Sequence, residues 1–323
     1  AASFLPVWFR VFFGIQSLVA LLIGGFFLGI GGTSFAVGVP FVSAWFPPER
    51  RGLAIGIFGV GMVGTAISAF TTVRLVEFGS SATPFLVTAA ALAIYAVVAW
   101  LLLRDAPGQV RPTTSMAKRV GETLKLGVTW QAAALYATLF GGYVAFSVYL
   151  PSLLKAEYDL SIGDASNRMA GFVILAVIMR PVGGFLSDKI GPVPVLATCL
   201  GAVVFGALID ATSPALFPIA TIAYLVMAAG LGAGSGATFA LVALLSPAGK
   251  VGSVTGVVGA AGGLGGFVPP LLMGVVYGAT GSYTIGFLLL ALVAAAVLVF
   301  TLTSIRSVLA KRDAVEVQRE VAA

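Results

Sequence analysis

Residues 251–270, VGSVTGVVGAAGGLGGFVPP, hold seven glycines and no charged side chain in twenty positions. On a helix turning about 100° per residue, Gly252, Gly256, Gly259, Gly263 and Gly266 fall in one stripe roughly 80° wide. Each glycine costs about 1 kcal/mol relative to alanine inside a helix, so five on one face require a compensating gain. In an apolar segment that gain is the close approach of a second backbone, the small-xxx-small packing of membrane helices. The same spacing occurs earlier, at Gly52, Gly56 and Gly59 in GLAIGIFGVGMVGTA, so the chain carries an internal repeat.

Composition agrees with a membrane setting. Apolar residues make up 59% of the 323 and charged residues 9%, against about 25% charged in a soluble domain. Mean hydropathy is +1.07. The single Cys199 has no partner for an intrachain disulfide, and the absence of histidine removes the usual metal ligand and general base. No metal, cofactor or nucleic acid is therefore expected, and the net charge of +6 is better explained by its distribution over loops.

Full-length apolar segments are expected at 17–46, 53–73, 84–103, 128–154, 165–186, 192–209, 217–245, 251–278 and 283–304. Residues 1–13 are apolar apart from Arg10 and cover only about 20 Å as helix, so they read as the second half of a further span, in a chain that starts N-terminally incomplete. The one long connection, 104–127, contains TSMAKRVGETLKLG, which forms either a helix on the membrane surface or a plain solvated linker.

Alternate loops differ in charge. One side collects Arg50, Arg51, Arg104, Arg111, Lys118, Arg119, Lys125, Lys189, Lys250, Arg306, Lys311, Arg312 and Arg319. The other has only Arg74 and Lys155, with Glu77, Glu157, Asp159, Asp164 and Asp210. The positive-inside rule puts the long connection and the C-terminal tail in the cytoplasm. The expected division is a remainder of an N-terminal half (1–103), a cytoplasmic linker (104–127), a six-helix C-terminal half (128–306) and a tail (307–323). The repeat extends to Gly32-Thr33-Ser34-Phe35-Ala36 and Gly236-Ala237-Thr238-Phe239-Ala240, each before its glycine helix. A parallel six-plus-six repeat is the plan of the major facilitator superfamily.

Arg180, in VILAVIMRPVGGFLSDKIG, is the sharpest single signal. An arginine within a span costs about 3 kcal/mol on insertion scales and faces a cavity or a partner, unless it snorkels to the headgroups. No apolar segment has a carboxylate near its middle to neutralise it. An anionic ligand is then the natural countercharge, since guanidinium matches planar oxyanions as a fork. Tyr136 and Phe140 share a helix face, where they serve either a ligand or helix packing, and Phe35 and Phe239 carry the same two readings. Arg10 and Arg168 read as interfacial. Ser187-Asp188-Lys189 reads as a turn that either pins neighbouring helices together or is simply solvated, and Pro181 and Pro269-Pro270 as sites of kinking.

GIGGTSFAVGVPFVSAWFPPERRGLAIGIFGVGMVGTAISAF and GAGSGATFALVALLSPAGKVGSVTGVVGAAGGLGGFVPP resemble the two glycine-rich regions of the nitrate/nitrite porter family of the major facilitator superfamily. The likeness runs from about Phe4 to Arg306, and VVGAAGGLGGF carries it most specifically. It implies an all-α polytopic fold that here lacks the first two helices and part of the third, with 1–13 as the end of helix three. It implies an anion held between two arginines, of which Arg180 matches the one on helix eight; the helix-two partner falls outside this chain. Tyr136 and Phe140 match the Tyr-x-x-x-Phe pair of helix seven, and Phe35 the stacking aromatic of helix four. Gly52, Gly56, Gly59, Gly61 and Gly64, with Gly256, Gly259, Gly262, Gly263, Gly265 and Gly266, match the signature helices that slide past each other. Where the first signature commonly reads Gly-x-Gly-Asn, this chain has Gly59-Val60-Gly61-Met62, and Met62 offers no amide.

The resemblance implies a secondary transporter of the cytoplasmic membrane for nitrate, nitrite or both, by exchange or proton coupling, acting as a monomer in the bilayer and not as an enzyme. The alternatives are a facilitator-superfamily carrier for another small anion or organic acid, an integral membrane enzyme, and an inert fragment. The lack of an embedded carboxylate leans towards exchange.

Overall fold

The computed structural model describes residues 18–47, 50–80, 82–106, 115–247, 249–305 and 307. The expected half-span at 1–13 with Arg10, and the basic residues Arg111, Arg306, Lys311, Arg312 and Arg319, lie outside these. Among the described residues nine helical stretches are long and apolar enough to cross a membrane, one for each segment expected from the sequence.

In order these are α1 (Leu18–Gly31) with α2 (Thr33–Trp45), then α3 (Arg51–Gly59) with α4 (Gly64–Phe78), α5 (Thr83–Leu102), the short α6 (Met116–Leu124), α7 (Gly127–Tyr158), α8 (Ile162–Ile190), α9 (Pro192–Asp210), α10 (Thr221–Leu245), α11 (Val251–Thr280) and α12 (Thr284–Phe300). The second apolar segment is not one uniform helix. A 3₁₀ turn, Val60–Val63, separates α3 from α4 where glycines at 59, 61 and 64 leave little side chain to oppose tighter winding. Pro181, Pro269 and Pro270 sit inside α8 and α11, both of which continue through them. Of the two readings of 115–125, the helix is the one that forms, as α6.

Local chemistry explains the ends. Ser161 Oγ accepts the Asp164 N–H at 3.1 Å and caps α8. Gly191, at φ +83°, is the only residue between α8 and α9, and Pro192 opens α9 with its φ already helical. The chain therefore reverses in a single residue and lays α9 back along the bundle.

Two apolar cores result. The larger, around Leu139, Phe172, Leu196, Met227 and Leu231, joins α7 to α10 and α12. The smaller gathers Val39, Ile55, Tyr136, Phe239, Val242 and Val258, and so ties α2 and α3 to α7, α10 and α11. α5 stands at the other extreme, with Trp100 88% exposed and Ile94, Val97 and Leu101 also outward. A helix apolar all round and this exposed is stable only against lipid.

The glycine rows are used for backbone contact, on rows that α7 and α8 select. A Cβ added at Gly56 would lie 2.6 Å from Pro181 Cα of α8, and one at Gly265 would strike the Ala137 carbonyl of α7. On α11 the row facing α7 is Gly262, Gly265 and Gly266, one position round from much of the expected stripe. Gly259 and Gly263 have nothing within 4 Å of an added Cβ, as do Gly61 and Gly64. Gly52, Gly56 and Gly59 lie against α8, so in this conformation the two signature stretches pack on neighbours from the second half.

Candidate functional site

α8 brings Arg180 into the smaller core, where it is 3% exposed. The side chain turns inward instead of snorkelling. Its Nη2 donates to the Tyr136 phenol at 3.0 Å and its Nη1 to the Gly59 carbonyl at 3.4 Å. The second bond fixes why Gly59 is small: a Cβ there would press on Arg180 Cδ and Nε at 3.3 Å. Gly236 of α10 lets the Arg180 backbone approach in the same way, since a Cβ would meet its carbonyl oxygen.

Flat rings enclose the guanidinium. Its Cζ lies 5.2 Å from the Phe140 centroid and 5.7 Å from that of Phe35, within cation–π range. Tyr136 stacks on Phe140 at 4.6 Å and 4°, one turn apart on α7. Phe239 meets Tyr136 edge-on at 4.6 Å and Phe35 at 5.1 Å. The four residues singled out in the sequence, Arg180, Tyr136, Phe140 and Phe35, are thus one cluster drawn from α2, α7 and α8. Phe239 completes it, and its place in the GATFA repeat was the signal. Phe58, 5.4 Å from Phe35, and the Gly59 carbonyl are additions that residue type alone does not flag.

The electrostatics are lopsided. Among the described residues the ion pairs are Arg168–Asp164 at 3.4 Å and Lys250–Glu122 at 3.0 Å, and neither includes Arg180. Arg168 is accordingly exposed and paired with Asp164. The two bonds above use two of the five guanidinium N–H groups. Because the Tyr136 oxygen accepts from Arg180, its own O–H remains able to donate. The arrangement offers convergent donors, net positive charge and aromatic walls, which suits a small planar oxyanion.

A second constellation lies nearer the basic-loop end. Asp188 accepts the N–H groups of Gly52 at 3.0 Å and Leu53 at 2.9 Å, which are orphan donors at the start of α3. Ser187-Asp188-Lys189, expected as a turn between helices, instead forms the last helical residues of α8, and through Asp188 it ties α8 to α3. Lys189 Nζ lies 4.7 Å over the Phe185 ring.

Comparison with known proteins places this arrangement. The profile of the Major Facilitator Superfamily matches residues 1–167 and 132–321. The chain is 46% identical over 309 residues to "Probable nitrate/nitrite transporter NarK2" of Mycobacterium tuberculosis, covering 95% of this chain and 78% of that one. It is 35% identical to the "Nitrite extrusion protein" of Bacillus subtilis, over 91% of this chain and 74% of the relative. Among solved structures, the human organic anion transporter MFSD10 superposes with a TM-score of 0.72 at 15% identity, over 93% of this chain and 74% of that one, a likeness of fold. The spans, the paired glycine regions and these relatives together show that the chain belongs to the nitrate/nitrite porter family of the major facilitator superfamily.

Proposed function

We propose that the protein is a secondary active transporter that moves nitrate, nitrite or both across the cytoplasmic membrane by alternating access, with its C-terminus in the cytoplasm. Arg180 supplies the positive charge, Tyr136 a hydrogen bond, and Phe35 and Phe140 the walls against the flat faces of the anion. The signature glycines let helices of the two halves move past their neighbours without side chains in the way. The protein works as a monomer in the bilayer.

The observation that carries this reading is a guanidinium 3% exposed, caged by aromatic rings and unpaired with any carboxylate among the described residues. A buried charge without a partner is costly, so a passing oxyanion gains what the protein leaves unsatisfied. The names of the relatives support nitrate and nitrite as that anion.

Arg180→Ala and Arg180→Lys in the intact protein, assayed for nitrate uptake in proteoliposomes, test the assignment. Two lost charge-assisted bonds at about 1.5–3 kcal/mol each predict at least about a 100-fold weaker anion interaction for alanine. Lysine keeps the charge and loses the fork, so it should recover only part. Unchanged uptake in both variants removes Arg180 from the site. Transport proceeds by exchange: uptake should require internal nitrite and persist when the pH gradient is collapsed, whereas loss of uptake on collapse would make the protein a proton symporter.

A further inference from the structure

Asp210 presents the opposite problem to Arg180. The sequence places it among the loop charges, yet the structure makes it the last residue of α9 and leaves it 3% exposed. Among the described residues neither Oδ1 nor Oδ2 has a hydrogen-bond partner, and no ion pair includes it. It sits at the end of the bundle opposite the basic loops, away from the Arg180 cluster along α8 and α9.

The groups around it cannot neutralise a negative charge. α10 supplies the buried Tyr224 and α7 supplies Tyr158, both within electrostatic reach of it, and Glu157 of α7 acts on those two phenols. The Tyr158 hydroxyl donates to the Pro214 carbonyl at 3.1 Å, so its hydrogen is committed. Tyr283, at the N-cap of α12, is buried but engages Tyr149 at 3.5 Å and stacks on Tyr277 at 4.3 Å. At this end of α8 the charged side chains are Asp164 and Arg168, which pair with each other. Lys155, on α7, is exposed. An anionic carboxylate here would have lost water and gained neither donor nor cation.

We propose that Asp210 is a proton-binding site: its carboxyl carries a proton in this packed conformation and exchanges it with water when the adjoining ends of α7, α9 and α10 part. Binding takes one proton from bulk water onto one carboxylate oxygen, and release returns it, with no other bond changed. The site is independent of the anion reading of Arg180 and stands or falls separately. It makes the closure of this end of the bundle sensitive to pH on that side.

Infrared spectroscopy of the intact protein in lipid, with its aspartate carboxyls labelled with ¹³C, tests this directly. The expected result is a protonated-carboxyl C=O band near neutral pH that shifts with the label, is lost in Asp210→Asn and is kept in Glu157→Gln. In the wild type it should disappear reversibly as pH is raised. Absence of a label-sensitive band in the wild type overturns the proposal even if the asparagine variant does not fold. Survival of the band in Asp210→Asn assigns it elsewhere and also overturns it. A wild-type band that persists at every pH the protein survives would mean a sealed acid, which overturns exchange.

Discussion

Asp188 and Gly52 meet across the two halves of the chain, 136 positions apart, with the carboxylate taking the glycine N–H at 3.0 Å and the following N–H at 2.9 Å. The contact works as an N-cap supplied in trans: it satisfies orphan donors and sets negative charge at the positive end of α3. A Cβ at Gly52 would fall on Asp188 Oδ1, so only glycine permits it.

Loss of this cap should favour separation of α3 from α8. A side-chain cap contributes about 1–2 kcal/mol, close to a tenfold change in an equilibrium between packed and parted states. Spin labels on α3 and α8, read as a distance distribution, should show the parted population rising in Asp188→Ala, less in Asp188→Asn, and again in Gly52→Ala. Identical distributions in all three would show that the contact does not hold the helices together.

Tyr136→Phe separates the hydrogen bond from the ring. The stack on Phe140 survives, while Arg180 Nη2 loses its acceptor inside the core. Leaving a buried donor unsatisfied costs about 1–3 kcal/mol, and the lost phenol donor weakens the anion contact further. The expected outcome is a KM for nitrate raised about tenfold with protein still folded, measured as uptake rate against concentration.

Adjacent glycines on α11 should respond in opposite ways. A Cβ at Gly262 would lie 2.5 Å from Tyr136 Cδ1 and 2.9 Å from Phe140 Cδ1, whereas one at Gly263 meets nothing within 4 Å. Overpacking costs about 1–3 kcal/mol, and here it displaces two site rings. Gly262→Ala should depress uptake and thermal stability together, and Gly263→Ala should leave stability unchanged or slightly raised through helix propensity.

The docking of α6 should depend on acid. Lys250 Nζ hydrogen-bonds Glu122 at 3.0 Å and holds its carboxyl below the ordinary value of 4.5, mainly through that bond and then through the charge. A lowered folded value means the contribution is present above the ordinary carboxylate range and is lost as pH falls through the lower one. The Thr123–Ser253 hydroxyl bond at 2.7 Å remains. Protection of α6 amides from hydrogen exchange should thus decline only in acid, and Glu122→Gln should abolish that acid step while leaving uptake at neutral pH intact.

Much of this was legible in the sequence because the bilayer leaves few choices. A run of apolar residues must close its backbone bonds as helix, so the described spans follow from hydropathy alone, and Arg180 stands out because lipid penalises charge. The aromatic pair of α7 was legible from one-turn spacing. Asp210 was not, since a carboxylate at the end of a span looks the same whether water or protein covers it. The active glycine row was not legible either: spacing puts Gly263 in the packing stripe and leaves Gly262 out, and only the position of α7 reverses the two.

By itself, then, the chain determined its helices, its repeat and the residues worth suspecting, because these depend on local hydrophobicity and spacing. Which side chains meet was decided only by tertiary packing. The approach of α8 to α3 gives Asp188 its donors at 52 and 53, and the convergence of α2, α7 and α8 closes a cage around Arg180. Such contacts join residues far apart in the chain, 44 positions for Arg180 and Tyr136 and 136 for Asp188 and Gly52, and their energies depend on distances and angles that no linear pattern encodes.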